Sequence, residues 1–186
     1  MTLLVLGLII WTAAHFLKRL APGVRQSMQD RMGDGSKGVV AVALFASLAL
    51  MVIGYRGIET TYLWEHSAAT KGINNLAMLV AVALFGVGNS KSRLRSKMRH
   101  PMLWGTVVWA AAHLMVNGDV ASIVLFGWIG VWALLQMRLI NRAEPDYTPW
   151  EGGSVAGDVR LGIITLVVFS VIAAIHIWLG YNPFGA

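Results

Sequence analysis

The chain has 186 residues, of which 56 % are hydrophobic and 13 % are charged, and its mean hydropathy is +0.63. Soluble domains carry about 25 % charged residues, so this composition excludes an ordinary soluble domain. The sequence contains no cysteine, which excludes disulfides, thiolate zinc sites, iron–sulfur clusters and thiol catalysis.

The distribution of apolar residues predicts transmembrane helices. Six segments approach the length of about 20 apolar residues that crosses the hydrocarbon of a bilayer. In chain order they are residues 3–17, 38–55, 72–88, 101–116, 120–137 and 161–179. The first is not preceded by basic residues, so we expect a retained transmembrane helix rather than a signal peptide. The pattern predicts an all-α integral membrane bundle of about six helices, in one domain spanning residues 1–186.

Polar segments connect these spans. Residues 18–37 are predicted to form a loop, because Pro22–Gly23 and the Gly-Asp-Gly of residues 33–35 break regular structure. Residues 138–160 form the longest polar stretch. Asn117, Gly118 and Asp119 are predicted to make a tight turn between the fourth and fifth spans.

The basic residues predict the orientation of the bundle. Residues 18–37, 91–99 and 138–160 hold 13 of the 15 Lys and Arg residues, and in a six-span topology these segments share one side. The positive-inside rule makes that side cytoplasmic, with both termini outside. In this orientation the basic residues, which give the chain its net charge of +6, are expected to contact anionic lipid headgroups. No nucleic-acid partner is expected.

Histidines are the candidate functional groups, because the predicted spans contain no Asp, Glu, Lys or Arg. His15, His113 and His176 lie inside apolar spans, and His100 lies at the basic interface. Ionisable groups at membrane depth are costly and are functional candidates by default. The simpler alternative is a histidine that hydrogen-bonds a neighbouring carbonyl. Histidines that face each other across a bundle, without acids or cysteines, suit a haem with two imidazole ligands better than a hydrolytic zinc site.

Residues 99–119, RHPMLWGTVVWAAAHLMVNGD, contain two of the candidate histidines together with further candidate cofactor-binding residues. A helix is predicted to begin at Pro101, since proline suits the first helical turn. Trp104 and Trp109 are candidates to stack on a flat cofactor. Arg99 is a candidate partner for haem propionates, as are Arg19 and Arg93, although anchoring of helices to headgroups is an alternative role for all three.

The same residues carry a family resemblance. Residues 99–119 are its most specific part, followed by AAHF in the first span, ALFASLALMVIGY in the second and AIH in the last. On these motifs the chain resembles the NnrU family, bacterial inner-membrane proteins associated with denitrification, and is similar to 15-cis-zeta-carotene isomerase. The resemblance covers almost the whole chain. It implies haem b with His15 and His113 as iron ligands, and it aligns the isomerase's other two histidines with His100 and His176.

This chain departs from the isomerase pattern at one position, and the predicted topology conflicts with the ligand pair that the resemblance implies. The isomerase has a cysteine three residues before the later ligand, where this chain has Ala110, so a thiolate ligand change is not available here. The predicted spans also put His15 and His113 at different depths, offset by roughly 12 Å at 1.5 Å per residue. By depth alone, His15 pairs better with His100, and His113 with His176.

Three functions follow from the sequence, in order of preference. The first is a haem-b membrane protein of the NnrU type that serves nitrite or nitric oxide respiration, with an electron donor as partner. The second is a haem-dependent cis–trans isomerase of 15-cis-zeta-carotene or a related polyene or lipid. The third is a structural partner of a respiratory membrane complex that binds no haem.

Overall fold

The computed structural model describes residues 1–59 and 61–185, and this part of the chain is predominantly helical with no named strand. Five helices are long and apolar enough to cross a membrane, and α5 is a sixth, shorter apolar helix of 16 residues. The prediction of an all-α membrane bundle is therefore confirmed. The helices are α1 (Thr2–Leu20), α2 (Pro22–Met32), α3 (Gly35–Arg56), α4 (Ala68–Val87), α5 (Pro101–Val116), α6 (Val120–Ala143) and α7 (Val155–Trp178).

The predicted loop over residues 18–37 is wrong in one respect, because it contains the polar helix α2. Pro22, which we interpreted as a breaker, occupies the first turn of α2, where its missing N–H costs nothing. Gly33 ends the helix with a φ of +53°. A Pro-Gly pair therefore marks the start of this helix rather than an interruption.

Helices α6 and α7 extend beyond the apolar segments that predicted them. α6 continues past residue 137 to Ala143, and α7 begins at Val155 instead of residue 161. The Ser154 hydroxyl caps α7 by accepting a hydrogen bond from the Gly157 N–H at 3.0 Å. Hydropathy detects where a helix leaves the apolar region, whereas backbone hydrogen bonding and capping decide where the helix itself ends.

The helices pack in the order α3, α1, α6, α5, α4 and α7, with each helix contacting the next. α6 runs in the same direction as α1, since Thr12 contacts Trp128 and His15 contacts Trp132. It runs opposite to α5. A buried apolar cluster joins α1, α3 and α6: Leu4, Leu8, Met51, Ala121, Ile129, Trp132 and Ala133. Large apolar side chains on α3 and α7 remain exposed, as expected for contact with lipid.

Helices α1 and α3 touch through glycines. A Cβ atom added to Gly54 would lie 2.3 Å from the backbone nitrogen of Leu4, and one added to Gly7 would lie 2.7 Å from the carbonyl oxygen of Ser47. Small residues allow helix backbones in a membrane to approach closely, where van der Waals contact drives association. This glycine contact fixes the position of α1, the helix that carries His15.

Ionic contacts bring the three basic segments together at one end of the bundle, which we call the basic end. Arg19 donates to Oε1 of Glu144 at 2.7 Å, and this hydrogen bond holds the pKa of the Glu144 carboxyl below its usual range. Arg99 donates to the backbone oxygen of Glu144, and Arg93 pairs with Asp158. That the basic end faces the cytoplasm stays a prediction.

Candidate functional site

The three histidines at membrane depth are held in the same way. Nδ1 of His15 bonds the carbonyl oxygen of Trp11 at 2.9 Å, that of His113 bonds Trp109 at 2.9 Å, and that of His176 bonds Ile172 at 2.8 Å. A carbonyl oxygen only accepts, so Nδ1 carries the hydrogen and Nε2 of the neutral ring carries the lone pair. Histidines that bind metals usually donate their other ring N–H in this manner.

Each of these histidines makes the hydrogen bond to a neighbouring carbonyl that the simpler alternative requires. That bond uses only one of the two ring nitrogens. Within the described residues, Nε2 of each of these histidines makes no hydrogen bond. His100 differs, because its Nε2 is hydrogen-bonded to Oδ1 of Asn141 at 2.8 Å near the basic end. Three of the four candidate histidines therefore have an Nε2 that makes no hydrogen bond within the described residues.

His15 lies in an aromatic cluster formed by α1 and α6. Its ring centroid is 4.2 Å from that of Trp11 and 4.7 Å from that of Trp132, and the two indoles meet edge to face at 5.3 Å. Nε1 of both tryptophans is buried without a hydrogen-bond partner among the described residues, as is Oε1 of Gln136 one turn along α6. Unpaired buried donors are costly and require an explanation, such as a polar group that completes the site.

His113 lies in a second aromatic cluster, between α5 and α6. Its ring is 5.0 Å from Trp109 and 4.7 Å from Phe126, and those two rings are 5.0 Å apart. His176 lies on α7, which packs against α4, and α4 in turn packs against α5. Trp109 and Trp104 are the two candidates to stack on a flat cofactor. Trp109 lies beside the candidate ligand His113, whereas Trp104 is 43 % exposed and lies toward the basic end of α5.

The two clusters lie at different depths along α6. Their contact residues, Phe126 and Trp132, are six positions apart, which corresponds to about 9 Å along a helix. His100 contacts Asn141, nine positions beyond Trp132 and about 13 Å away by the same measure. By depth His15 is thus nearer to His113 than to His100, opposite to the order that the predicted spans gave, because α1 continues to Leu20.

Ala110 stands at the sequence position where the isomerase pattern has a cysteine. In the structure it lies at the contact between α5 and α6. Its side chain is 2 % exposed, and a Cβ atom added to Gly130 would lie 3.3 Å from the Ala110 Cβ. The pair Ala110–Gly130 lets α5 and α6 approach closely one turn from His113. The position supplies packing and offers no metal-binding atom.

Arg99 is engaged at the basic end. Besides its bond to Glu144, its guanidinium lies over the Tyr147 ring at 4.8 Å. These contacts tie the segment after α6 to the start of α5.

The sequence did not predict a hydrogen-bonded network at the opposite end of the bundle. Asp119, 5 % exposed, caps α6 by accepting the Ser122 N–H at 2.9 Å and the Ser122 hydroxyl at 2.5 Å. Because that hydroxyl hydrogen is used, Ser122 Oγ accepts from the Tyr55 hydroxyl at 2.7 Å. The network joins α3 to α6, and the turn also contacts Trp64, whose backbone N–H donates to the Gly118 oxygen.

Replacing Tyr55 by phenylalanine is expected to lower the free energy of unfolding by about 1 kcal/mol, because Ser122 loses its donor while the ring stays in place. Tyr62→Phe is the control, since Tyr62 is 71 % exposed at the same end, and its change should stay within about 0.5 kcal/mol. Unfolding in detergent, followed by circular dichroism, measures both. Equal effects for the two variants would contradict the network's role.

The described residues hold no cluster of three or more His, Asp or Glu side chains able to bind a metal ion. Two clefts of about 250 and 200 Å³ lie toward the basic end, and no histidine lines either of them. Of the sites that the sequence suggested, those of His15, His113 and His176 are the ones whose histidine has an unused ring nitrogen among the described residues.

Residues 3–183 match the model of a protein family described as NnrU protein. The chain belongs to the NnrU family. No curated protein and no solved structure matches it. The NnrU match extends over all seven helices, so both aromatic clusters and all four candidate histidines lie within the family region.

Proposed function

We propose that this NnrU-family protein binds haem b in the membrane through two histidines and serves nitrite or nitric oxide respiration as a redox-active component. The observation that carries the proposal is the shared state of His15, His113 and His176, each with Nδ1–H fixed by a carbonyl and Nε2 unused. Fixing one ring nitrogen orients the other toward a metal and raises its basicity.

The residues around these histidines fit haem. Trp11 and Trp132 beside His15, and Trp109 and Phe126 beside His113, form apolar aromatic walls that exclude water. The unpaired indole N–H groups of Trp11 and Trp132 are suited to donate to haem carboxylates. Arg19, Arg93 and Arg99 remain candidate partners for the haem carboxylates, and in the structure they bond to Glu144 and Asp158.

His15 and His113 are the first choice of ligands. They extend from α1 and α5, which lie on either side of α6, so the two side chains must lean toward each other to approach one ring. His176 is the alternative partner for His113, because the predicted spans place these two histidines at similar depths. When bound, haem supplies one-electron chemistry, and the protein contributes ligation, orientation and a water-excluding site. An electron donor on either side of the membrane is the implied partner.

The absorbance spectrum of the purified protein, oxidised and dithionite-reduced, tests the proposal. A Soret band with sharp α and β bands after reduction is expected for iron with two imidazole ligands. A colourless protein that gains no band with excess haemin would overturn it. The histidines would then be structural, and a haem-free partner of a respiratory complex would become the preferred function.

Conversion of a polyene is the second candidate function, because the aromatic walls beside His113 also suit a long apolar substrate. Ala110 weighs against the redox-gated form of this activity, because alanine has no thiol that could exchange with a histidine. Its side chain packs against Gly130 instead. Incubating the reduced protein with 15-cis-zeta-carotene and analysing the isomers separates the two functions. Turnover would favour the isomerase, whereas an unchanged substrate beside an intact spectrum would favour electron transfer.

A further inference from the structure

A cleft of about 200 Å³ lies at the basic end between the turn that follows α4 and the first turns of α7. Its polar wall is formed by Asn89, Ser90, Lys91 and Arg160, and its apolar wall by Leu161 and Ile164. No histidine lines it, so the cleft is separate from the site proposed for haem.

Close backbone contact builds the cleft. A Cβ atom on Gly157 would lie 1.9 Å from the carbonyl oxygen of Lys91, so glycine alone allows α7 to approach the turn this closely. The Ser154 N–H also donates to that oxygen, at 3.1 Å. Backbone contact therefore sets the position of the turn against α7.

The cleft has an uncompensated positive charge. Asp158, the neighbouring acid, accepts from the Ser92 hydroxyl at 2.7 Å and pairs with Arg93, so its charge is already neutralised. The Lys91 and Arg160 side chains make no ion pair or hydrogen bond with any described residue. Two cations and the Asn89 amide thus face an opening that contains no free acid.

The apolar wall continues into the membrane-spanning part of α7. Ile164 is 49 % exposed, and Val168 and Val171 follow it on the same helix face with their side chains also exposed. The cleft therefore combines a cationic end at the membrane interface with an apolar strip along a spanning helix. A freely diffusing anion would match only the first of these features.

We propose that this cleft binds an anionic phospholipid. Lys91 and Arg160 hold its phosphate with charge-assisted hydrogen bonds, and an acyl chain lies along Ile164, Val168 and Val171. Basic pockets between transmembrane helices on the cytoplasmic side recognise anionic headgroups in this way. The site tethers the start of α7 to the end of α4.

Retention of phosphatidylglycerol against phosphatidylcholine, measured by native mass spectrometry of the detergent-solubilised protein, tests the proposal. The double variant K91Q/R160Q is expected to lose about tenfold in preference for phosphatidylglycerol, since each basic residue near anionic lipid contributes to binding. The control R31Q/K97Q removes the same charge from exposed positions that make no ion pair, and it should keep the preference within about twofold. Equal loss in both variants would overturn a defined site.

The apolar wall of the cleft is tested separately by Ile164→Trp. Ile163→Trp is the control, because Ile163 is 58 % exposed and lies on the adjacent face of α7. Only Ile164→Trp is expected to reduce phosphatidylglycerol retention, because it obstructs the acyl strip and leaves both cations in place. Unchanged retention in Ile164→Trp, together with displacement by excess inorganic phosphate, would identify a simple anion site and overturn the lipid assignment. Matching thermal unfolding of all variants ensures that folding is not the cause.

Discussion

Replacing His113 by alanine is expected to remove most of the Soret absorbance of the purified protein and to lower its haem affinity by more than about 100-fold. Loss of a partner that merely orients a ligand costs 10- to 100-fold, so loss of the ligand itself should cost at least as much. His15→Ala is expected to have the same effect, because a haem with two imidazole ligands depends on both.

The matched control is His100→Ala, at the residue that immediately precedes α5. Its Nε2 is occupied by Asn141, and it lies at the basic end of α5, so the spectrum should keep its band positions and intensity. Added imidazole should restore part of the absorbance in His113→Ala, since it can occupy the space that the ring leaves. Rescue would show that the lost band reflects a missing ligand rather than a misfolded bundle.

The ligand pair has a clear alternative outcome. If His15→Ala keeps the band and His176→Ala loses it, then His113 and His176 form the pair, and the cluster around His15 has another role. If His100→Ala loses the band while His113→Ala keeps it, the assignment is wrong for both. Each result distinguishes between sites that the sequence alone left open.

Gly54→Ala is expected to lower the free energy of unfolding by about 3 kcal/mol. The added Cβ would lie 2.3 Å from the backbone nitrogen of Leu4, and a helix backbone cannot move aside as a flexible side chain can. Relief requires α1 and α3 to separate, which loosens the contacts of Leu4, Leu8 and Met51.

Gly38→Ala provides the control, because it makes the same substitution in the same helix where no atom lies within 4 Å. That variant should be unchanged or slightly more stable, since alanine favours helix by up to about 1 kcal/mol over glycine. Detergent unfolding measured by circular dichroism compares the two. Similar stabilities would contradict the close approach of α1 and α3. In the haem-loaded protein, Gly54→Ala should also weaken the band through displacement of His15.

The sequence predicts the spans well because crossing a membrane requires a continuous run of apolar residues, which is visible in the local sequence. Each predicted span overlaps one observed helix, and the errors lie at the ends, where polar residues continue a helix beyond the apolar region. α2 was missed because a Pro-Gly pair can begin or end a helix, and composition does not distinguish these cases.

The candidate histidines were visible as isolated ionisable groups, but their environments were not. The contact between His15 and Trp132 joins positions 117 residues apart, and nothing in either segment alone indicates it. The Tyr55–Ser122–Asp119 network shows a partial signal, since an Asp three residues before a Ser at the start of a span is a capping pattern. The approach of Gly54 to Leu4 likewise depends on the packed backbone.

Residues 123–127 of α6 form a π-helical turn, between the start of the helix and Trp128. Such a turn accommodates an extra residue without breaking the helix, and it changes the angular phase of everything that follows. Phe126 lies within it and Trp132 beyond it, so the turn sets how the two aromatic side chains are rotated relative to each other. A deletion or insertion of one residue between Phe126 and Trp132 would rotate the two histidine environments relative to each other by about 100° while retaining every aromatic side chain that forms them.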